Sequence, residues 1–176
     1  MINELRTSPT DAWAWDKTDT KQVAYPGLKE LVYDYDLERL AMKRAAEIAL
    51  SYDHTRPNGQ NPFTIYTEEN ITRWDTGENI AVASPNVYSK AEAVNNGWRE
   101  DNEPYAGQGH RRNMLDYKFT CVGVGHVTYN GYDYWVEEFA SRPSINTTET
   151  PANDSEQTVT CLLYTSPSPR DLSTSR

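Results

Sequence analysis

Three histidines, two cysteines and a large set of acids carry the chemistry open to this chain. His54 closes an apolar helical stretch, in His54-Thr-Arg-Pro57. His110 stands in Gly109-His-Arg-Arg-Asn-Met-Leu115, and His126 alternates with Val122 and Val124. Imidazole beside carboxylate either stabilises the charged pair or binds a divalent metal jointly with it. No local zinc motif such as H-E-x-x-H is present, so a site would have to be assembled from distant segments. A nucleophile elbow is also missing, and no Ser or Cys is visibly placed by a base, which argues against covalent catalysis.

Taken singly, these residues have plain structural readings. The helix dipole favours His54 after a helix C-terminus. Glu78, in Gly77-Glu-Asn-Ile80, suits a turn, and His110 suits local capping of a short helical turn. His126 reads as a hydrogen-bonded strand histidine. Arg111 and Arg112 read as surface cations paired with nearby acids, and Trp13, Trp15 and Trp74 as packing residues.

The elements that must position these groups can be traced along the chain. Residues 2–6 look like an amphipathic helix already under way at Met1. Asp36 is a candidate N-cap for a helix over 37–52, in which Leu37, Leu40, Ala41, Ala45, Ile48 and Tyr52 form one apolar stripe. Pro57 and Asn58-Gly59 turn the chain. A second helix is expected from Ser89, with Ser89 and Glu92 as a capping box and Ala91, Val94 and Trp98 on one face. Strands over 119–129 and 132–140 flank Asn130-Gly131, a two-residue hairpin turn. Gly123 and Gly125 share a strand face with Cys121, which implies something packed closely against that backbone. Helices first and an antiparallel hairpin last point to α+β layers.

Length and composition bound the rest. The 176 residues suit one domain, and 37% hydrophobic residues with 12 Tyr and 5 Trp supply a single core. A net charge of −9 makes phosphate backbones poor partners, so nucleic acid is not expected. No apolar run is long enough to be a transmembrane segment. Residues 144–160 are polar and Thr-rich and read as a flexible linker, which leaves 1–143 as the globular domain. Residues 161–176 resemble a translated sequencing adapter and are set aside as non-native. That leaves Cys121 without a disulfide partner, as a small buried strand residue. No signal peptide precedes residue 2, and the N-terminus is expected to be truncated.

Five pieces then stand in a recognisable order. They are His54-Thr-Arg-Pro57, Gly77-Glu-Asn-Ile80, Trp98 with Asp101 and Tyr105, Gly109-His-Arg-Arg-Asn-Met-Leu115 leading to Phe119-Thr-Cys-Val-Gly-Val-Gly125, and Tyr134-Trp-Val136. This set resembles the CAP superfamily (SCP, PR-1-like) domain of bacterial secreted proteins over roughly residues 30–141. The resemblance implies a three-layer α-β-α sandwich with a central antiparallel sheet. It also implies a cleft holding a tetrad of two histidines and two acids: His54, Glu78, Asp101 and His110. The family places Glu at the third position; Asp101 is one methylene shorter, and Glu100 stands beside it. The implied function is an extracellular or cell-wall-associated module whose cleft binds a metal, a lipid, a peptide or a wall fragment. No cofactor is required. A zinc ion would be held by His54, His110 and Glu78 with an open position. The alternative is a metal-assisted hydrolase in which Glu78 or Asp101 activates water.

Overall fold

A computed structural model describes residues 1–84, 87 and 90–149. The chain opens with α1 (Ile2–Thr7), which buries Leu5 and Arg6, followed by a small antiparallel ribbon of β1 (Trp13–Trp15) and β2 (Gln22–Ala24). Then come β3 (Val32–Tyr33), α2 (Tyr35–Leu50), α3 (Thr64–Glu68), β4 (Thr76–Ala83) and α4 (Ala91–Trp98). A 3-10 turn over Tyr105–Gly107 leads into α5 (Gly109–Leu115) and the hairpin of β5 (Cys121–Tyr129) and β6 (Tyr132–Ala140).

The main sheet runs β3-β5-β6-β4. Its three long strands are antiparallel, whereas the two-residue β3 lies parallel to β5, so the sheet is mixed at that edge. It forms the middle of a three-layer sandwich. On one face α2 sets Leu37, Leu40, Ala41, Ala45 and Ile48 against Cys121, Ile80, Val136 and Ala140. On the other, Leu5 of α1, Val94 and Trp98 of α4, and Met114 and Leu115 of α5 pack with Val122, Trp135 and Phe139. Both sheet faces are therefore buried, and consecutive strand residues go inside in opposite directions.

Two glycines set the close approach of α2. A Cβ at Gly123 would lie 2.2 Å from the backbone N of Glu38, and one at Gly125 would lie 2.2 Å from the carbonyl carbon of Ala41. The hairpin turn is as expected: Asn130 and Gly131 take φ of 49° and 77°, the left-handed pair that such a turn needs.

Several boundaries move. The N-cap of α2 is Asp34, not Asp36: Asp34 is extended, and its carboxylate accepts the amide of Asp36 at 3.0 Å. Asp36 instead sits in the first turn and pairs with Arg39 and Arg142. Tyr52 falls outside the helix and is half exposed. The helix expected from Ser89 begins at Ala91, with Lys90 at the cap and no side-chain cap bond; Ser89 lies outside the described residues. The chain also stays docked beyond residue 143. Ile145 packs near Leu37, and the carbonyl of Asn146 accepts the amide of Tyr35 at 2.9 Å. Residues 150–176, most of the expected linker and all of the adapter-like stretch, lie outside the described residues.

Cys121 is a free, fully buried thiol that donates to the carbonyl of Ala140. Burial, with the nearby charge of Asp34, pushes it up to about 12, so it stays a packing residue.

Candidate functional site

His54 lies four residues past the end of α2, on a loop that turns back toward the sheet. Its Nδ1 is 2.7 Å from Oε1 of Glu78 on β4. Glu78 is nearly fully buried and also holds the guanidinium of Arg44: Nε donates to Oε2 at 2.6 Å and Nη2 to Oε1 at 3.2 Å. Burial alone would raise the Glu78 carboxyl, but the bonds from His54 and Arg44 outweigh it and hold the group below its usual range. The bond to Glu78 in turn raises the His54 imidazole above its ordinary value, against the opposing effect of burial.

Directly across the ladder from Glu78 stands Glu138, also buried, taking a bond from the Tyr66 hydroxyl at 2.9 Å. Burial first, and then the charge of Glu78, push Glu138 far above the carboxylate range. One acid of the pair is thus ionised and the other neutral, the arrangement that relieves repulsion between adjacent carboxyls.

The second histidine sits in the first turn of α5, with Nδ1 2.5 Å from Oε1 of Glu100. Glu100 also accepts the backbone amide of Arg111 at 3.2 Å. It directly follows the C-cap residue of α4, Arg99, and takes a left-handed φ of 49°. That reversal ends the helix, and the buried amide of Gln108 secures it by donating to the Glu100 carbonyl at 3.1 Å.

The expected fourth member, Asp101, does not join the histidine. Its Oδ1 accepts Nη1 of Arg111 at 2.6 Å and its Oδ2 accepts Nε of Arg99 at 3.1 Å. With the helix ended at Glu100, the shorter acid is left beside two guanidiniums, and the longer one reaches the ring.

Arg111 is not a surface cation. It is fully buried, donates to the carbonyls of Trp13, Asp11 and Arg99, and lies 4.5 Å from the Trp13 ring centroid. Arg112 stacks over Tyr105 at 4.0 Å. Trp13 and Trp15 are half-buried and meet edge to face, whereas Trp74 is 69% exposed and does not pack as expected. His126 bonds Asp133 at 2.9 Å and stacks on Trp135, as a strand histidine should.

His54, Glu78, Glu100 and His110 line one cleft of about 470 Å³, together with Arg112 and Asn113. It adjoins two others. One of about 500 Å³ shares Glu100 and His110 and reaches Trp98 and Glu103. The other, also about 500 Å³, shares His54 and Glu78 and reaches Phe63 and Gln60. The cleft can therefore continue to either side of the histidines.

Both rings spend Nδ1 on a carboxylate and have no protein partner at Nε2 among the described residues. This is the arrangement in which an outer acid fixes the tautomer and a metal or ligand meets the other nitrogen. It changes the expected ligand set, because Glu78 is already engaged at both oxygens by Arg44 and His54. Among the described residues no cluster of three or more His, Cys, Asp or Glu is disposed to hold a metal. Two imidazoles are fewer protein donors than the three or four that zinc sites ordinarily supply, so a metal here would take its remaining positions from water or ligand. The two acids named as possible bases are poorly suited to that work, since each is tied to a guanidinium.

The comparisons with known proteins agree with this architecture. A family model described as "CAP: Cysteine-rich secretory protein family" matches residues 1–139. The chain belongs to the CAP family. The CAP chain is 29% identical over 146 residues to the uncharacterized protein YkwD of Bacillus subtilis, a match covering 80% of this chain and 52% of that protein. Its fold resembles an extracellular protein containing a SCP domain from Bacillus anthracis (TM-score 0.53, 24% identity, 65% of this chain and 35% of that one). It also resembles NaASP2, solved with Zn2+ (TM-score 0.55, 21% identity, 78% and 74%). The CAP chain thus spans about half the length of the curated relative.

Sequence reasoning missed Arg44, Gln108 and the burial of Arg111, and named Glu100 only as the neighbour of Asp101. Arg44 carried a usable signal, because it occupies a position of the apolar stripe between Ala41 and Ile48. A cation on that stripe must be paired inside.

Proposed function

We propose that this CAP domain is an extracellular binding module whose cleft takes a zinc ion on Nε2 of His54 and His110. Small ligands from the extracellular space would complete the coordination. The carrying observation is the pairing of each ring, through Nδ1, with its own carboxylate inside one cleft. Glu78 and Glu100 act as orienting acids rather than ligands. Bound zinc would supply a Lewis-acid point for a carboxylate, amide carbonyl or hydroxyl of the ligand. The adjoining clefts, lined by amides, acids and the aromatics Trp98 and Phe63, suit a peptide or cell-wall fragment longer than one residue. Two relatives by fold support this setting, one described as extracellular and one solved with zinc.

Titration calorimetry of the whole chain with zinc tests the reading. One site per chain is expected, lost in both His54→Ala and His110→Ala and retained in His126→Ala. Binding that survives both cleft substitutions, or no binding to the parent chain, would overturn it.

A further inference from the structure

We infer that Arg44 is a positioning residue for the cleft, fixing the tautomer and direction of the His54 ring from beneath. The inference rests on the reading that His54 works through Nε2. The Arg44 side chain has no solvent exposure. Its guanidinium reaches four groups. Nε and Nη2 hold both oxygens of Glu78, and Nη1 holds Glu47 Oε2 at 2.7 Å. Nη2 also faces the carbonyls of Asp53 at 3.3 Å and His54 at 3.2 Å. A single planar fork therefore holds both the acid that accepts from the ring and the backbone that carries the ring.

The second half of the loop is tied to the same place. Arg56 is also buried and donates to Glu47 through Nε and Nη2, and to Glu68 through both terminal nitrogens. Glu47 thus lies between the guanidinium that holds the Asp53 and His54 carbonyls and that of Arg56, two residues after His54. Without the fork, Glu78 would be free to turn toward solvent, and the ring would lose the acceptor that keeps its proton on Nδ1. Lysine cannot substitute for this geometry, because its ammonium is a point donor that cannot span two carboxylates and two carbonyls.

The test uses Arg44→Lys, which keeps the buried charge, and Lys43→Gln as a neighbouring control on the same helix. Ring nitrogen NMR of the metal-free chain, well above the ordinary imidazole range, reads the tautomer of His54 directly. The parent is expected to carry its proton on Nδ1. Arg44→Lys should show a mixture of tautomers, with far-UV circular dichroism unchanged and zinc affinity down about 10–100-fold, the usual cost of losing an outer-shell partner. Lys43→Gln should match the parent. A parent proton on Nε2 would overturn the inference whether or not any variant folds, as would a folded Arg44→Lys with the parent's tautomer and affinity. Absence of zinc binding in the parent would remove the proposed function, and the tautomer of His54 would still decide the positioning role of Arg44 by itself.

Discussion

The two histidine corners of the cleft reach the same local geometry by different means. At His54 the partner acid is placed by charge: Glu78 projects from a strand into the layer under α2, and a buried guanidinium keeps it ionised and aimed. At His110 the partner is placed by backbone: Glu100 ends α4 in a left-handed conformation, fixed by Gln108 and the amide of Arg111. Behind the first corner lie the cations Arg44 and Arg56. Behind the second lies Asn79, whose amide bridges the His110 carbonyl at 3.3 Å and Glu137 at 2.9 Å. An amide is a weaker counterpart than a guanidinium, and the acids differ accordingly. Glu78 is held below the usual range, whereas burial pushes Glu137 up to about 8 despite the bond from Asn79.

The sharpest way to break this contrast is to remove the cation. Arg44→Met leaves the buried Glu78 without its guanidinium, and removing one member of a buried ion pair costs about 3–5 kcal/mol. Urea unfolding near neutral pH should show that loss. A loss under about 1 kcal/mol would mean that the guanidinium is not needed to hold the His54 corner, since only exposed pairs are worth so little.

The next test concerns pH. A buried carboxyl raised from 4.5 to about 8 is protonated in the folded chain and ionised in the unfolded chain between those values. Its contribution is complete below pH 4.5 and is lost as pH rises toward 8, by up to about 1.4 kcal/mol per pH unit. Glu137→Gln, which keeps the shape and removes the titration, should flatten the fall in Tm across that window, with its largest gain over the parent at the upper end. The slope should remain if Asn79 held Glu137 as firmly ionised as Arg44 holds Glu78.

The two corners were not equally legible in the sequence. The His54 side was readable because its parts sit in compact strings, His54-Thr-Arg-Pro57 just after a regular helix and Gly77-Glu-Asn-Ile80 on a strand. The layered fold followed for the same reason: the period of α2, the paired glycines of β5 and the Asn130-Gly131 turn all state their geometry locally. The fourth acid was not readable, because a single left-handed residue decides which of two neighbouring carboxylates faces the ring. Position favoured Asp101 and side-chain length favoured Glu100, and only that angle decides between them. Arg111 was misread for a related reason, since its burial depends on carbonyls of the distant β1 segment.

Exchanging the two neighbouring acids sharpens the point. Glu100→Gln should weaken zinc binding about 10–100-fold, as loss of an orienting acid does. Asp101→Asn should change it less than about threefold, because that acid faces Arg99 and Arg111 and is half exposed. Calorimetry on the pair reads the assignment directly, and the reverse ranking would restore Asp101 to the tetrad.

The smallest expected effect isolates the backbone. A non-glycine residue in the left-handed region costs on the order of 1 kcal/mol, so the His110 corner holds strain that the His54 corner does not. Glu100→Ala and Glu100→Gly both delete the carboxylate and should lose zinc affinity alike. They differ only in the conformational preference at φ 49°. The glycine variant is therefore expected to be more stable than the alanine variant by about 1 kcal/mol, read as a shift in the urea midpoint at unchanged slope. Equal midpoints would mean that the reversal at Glu100 relaxes once its side chain is gone. The carboxylate on His110 would then hold the turn, and both corners would be placed by side-chain bonding rather than one by charge and one by backbone.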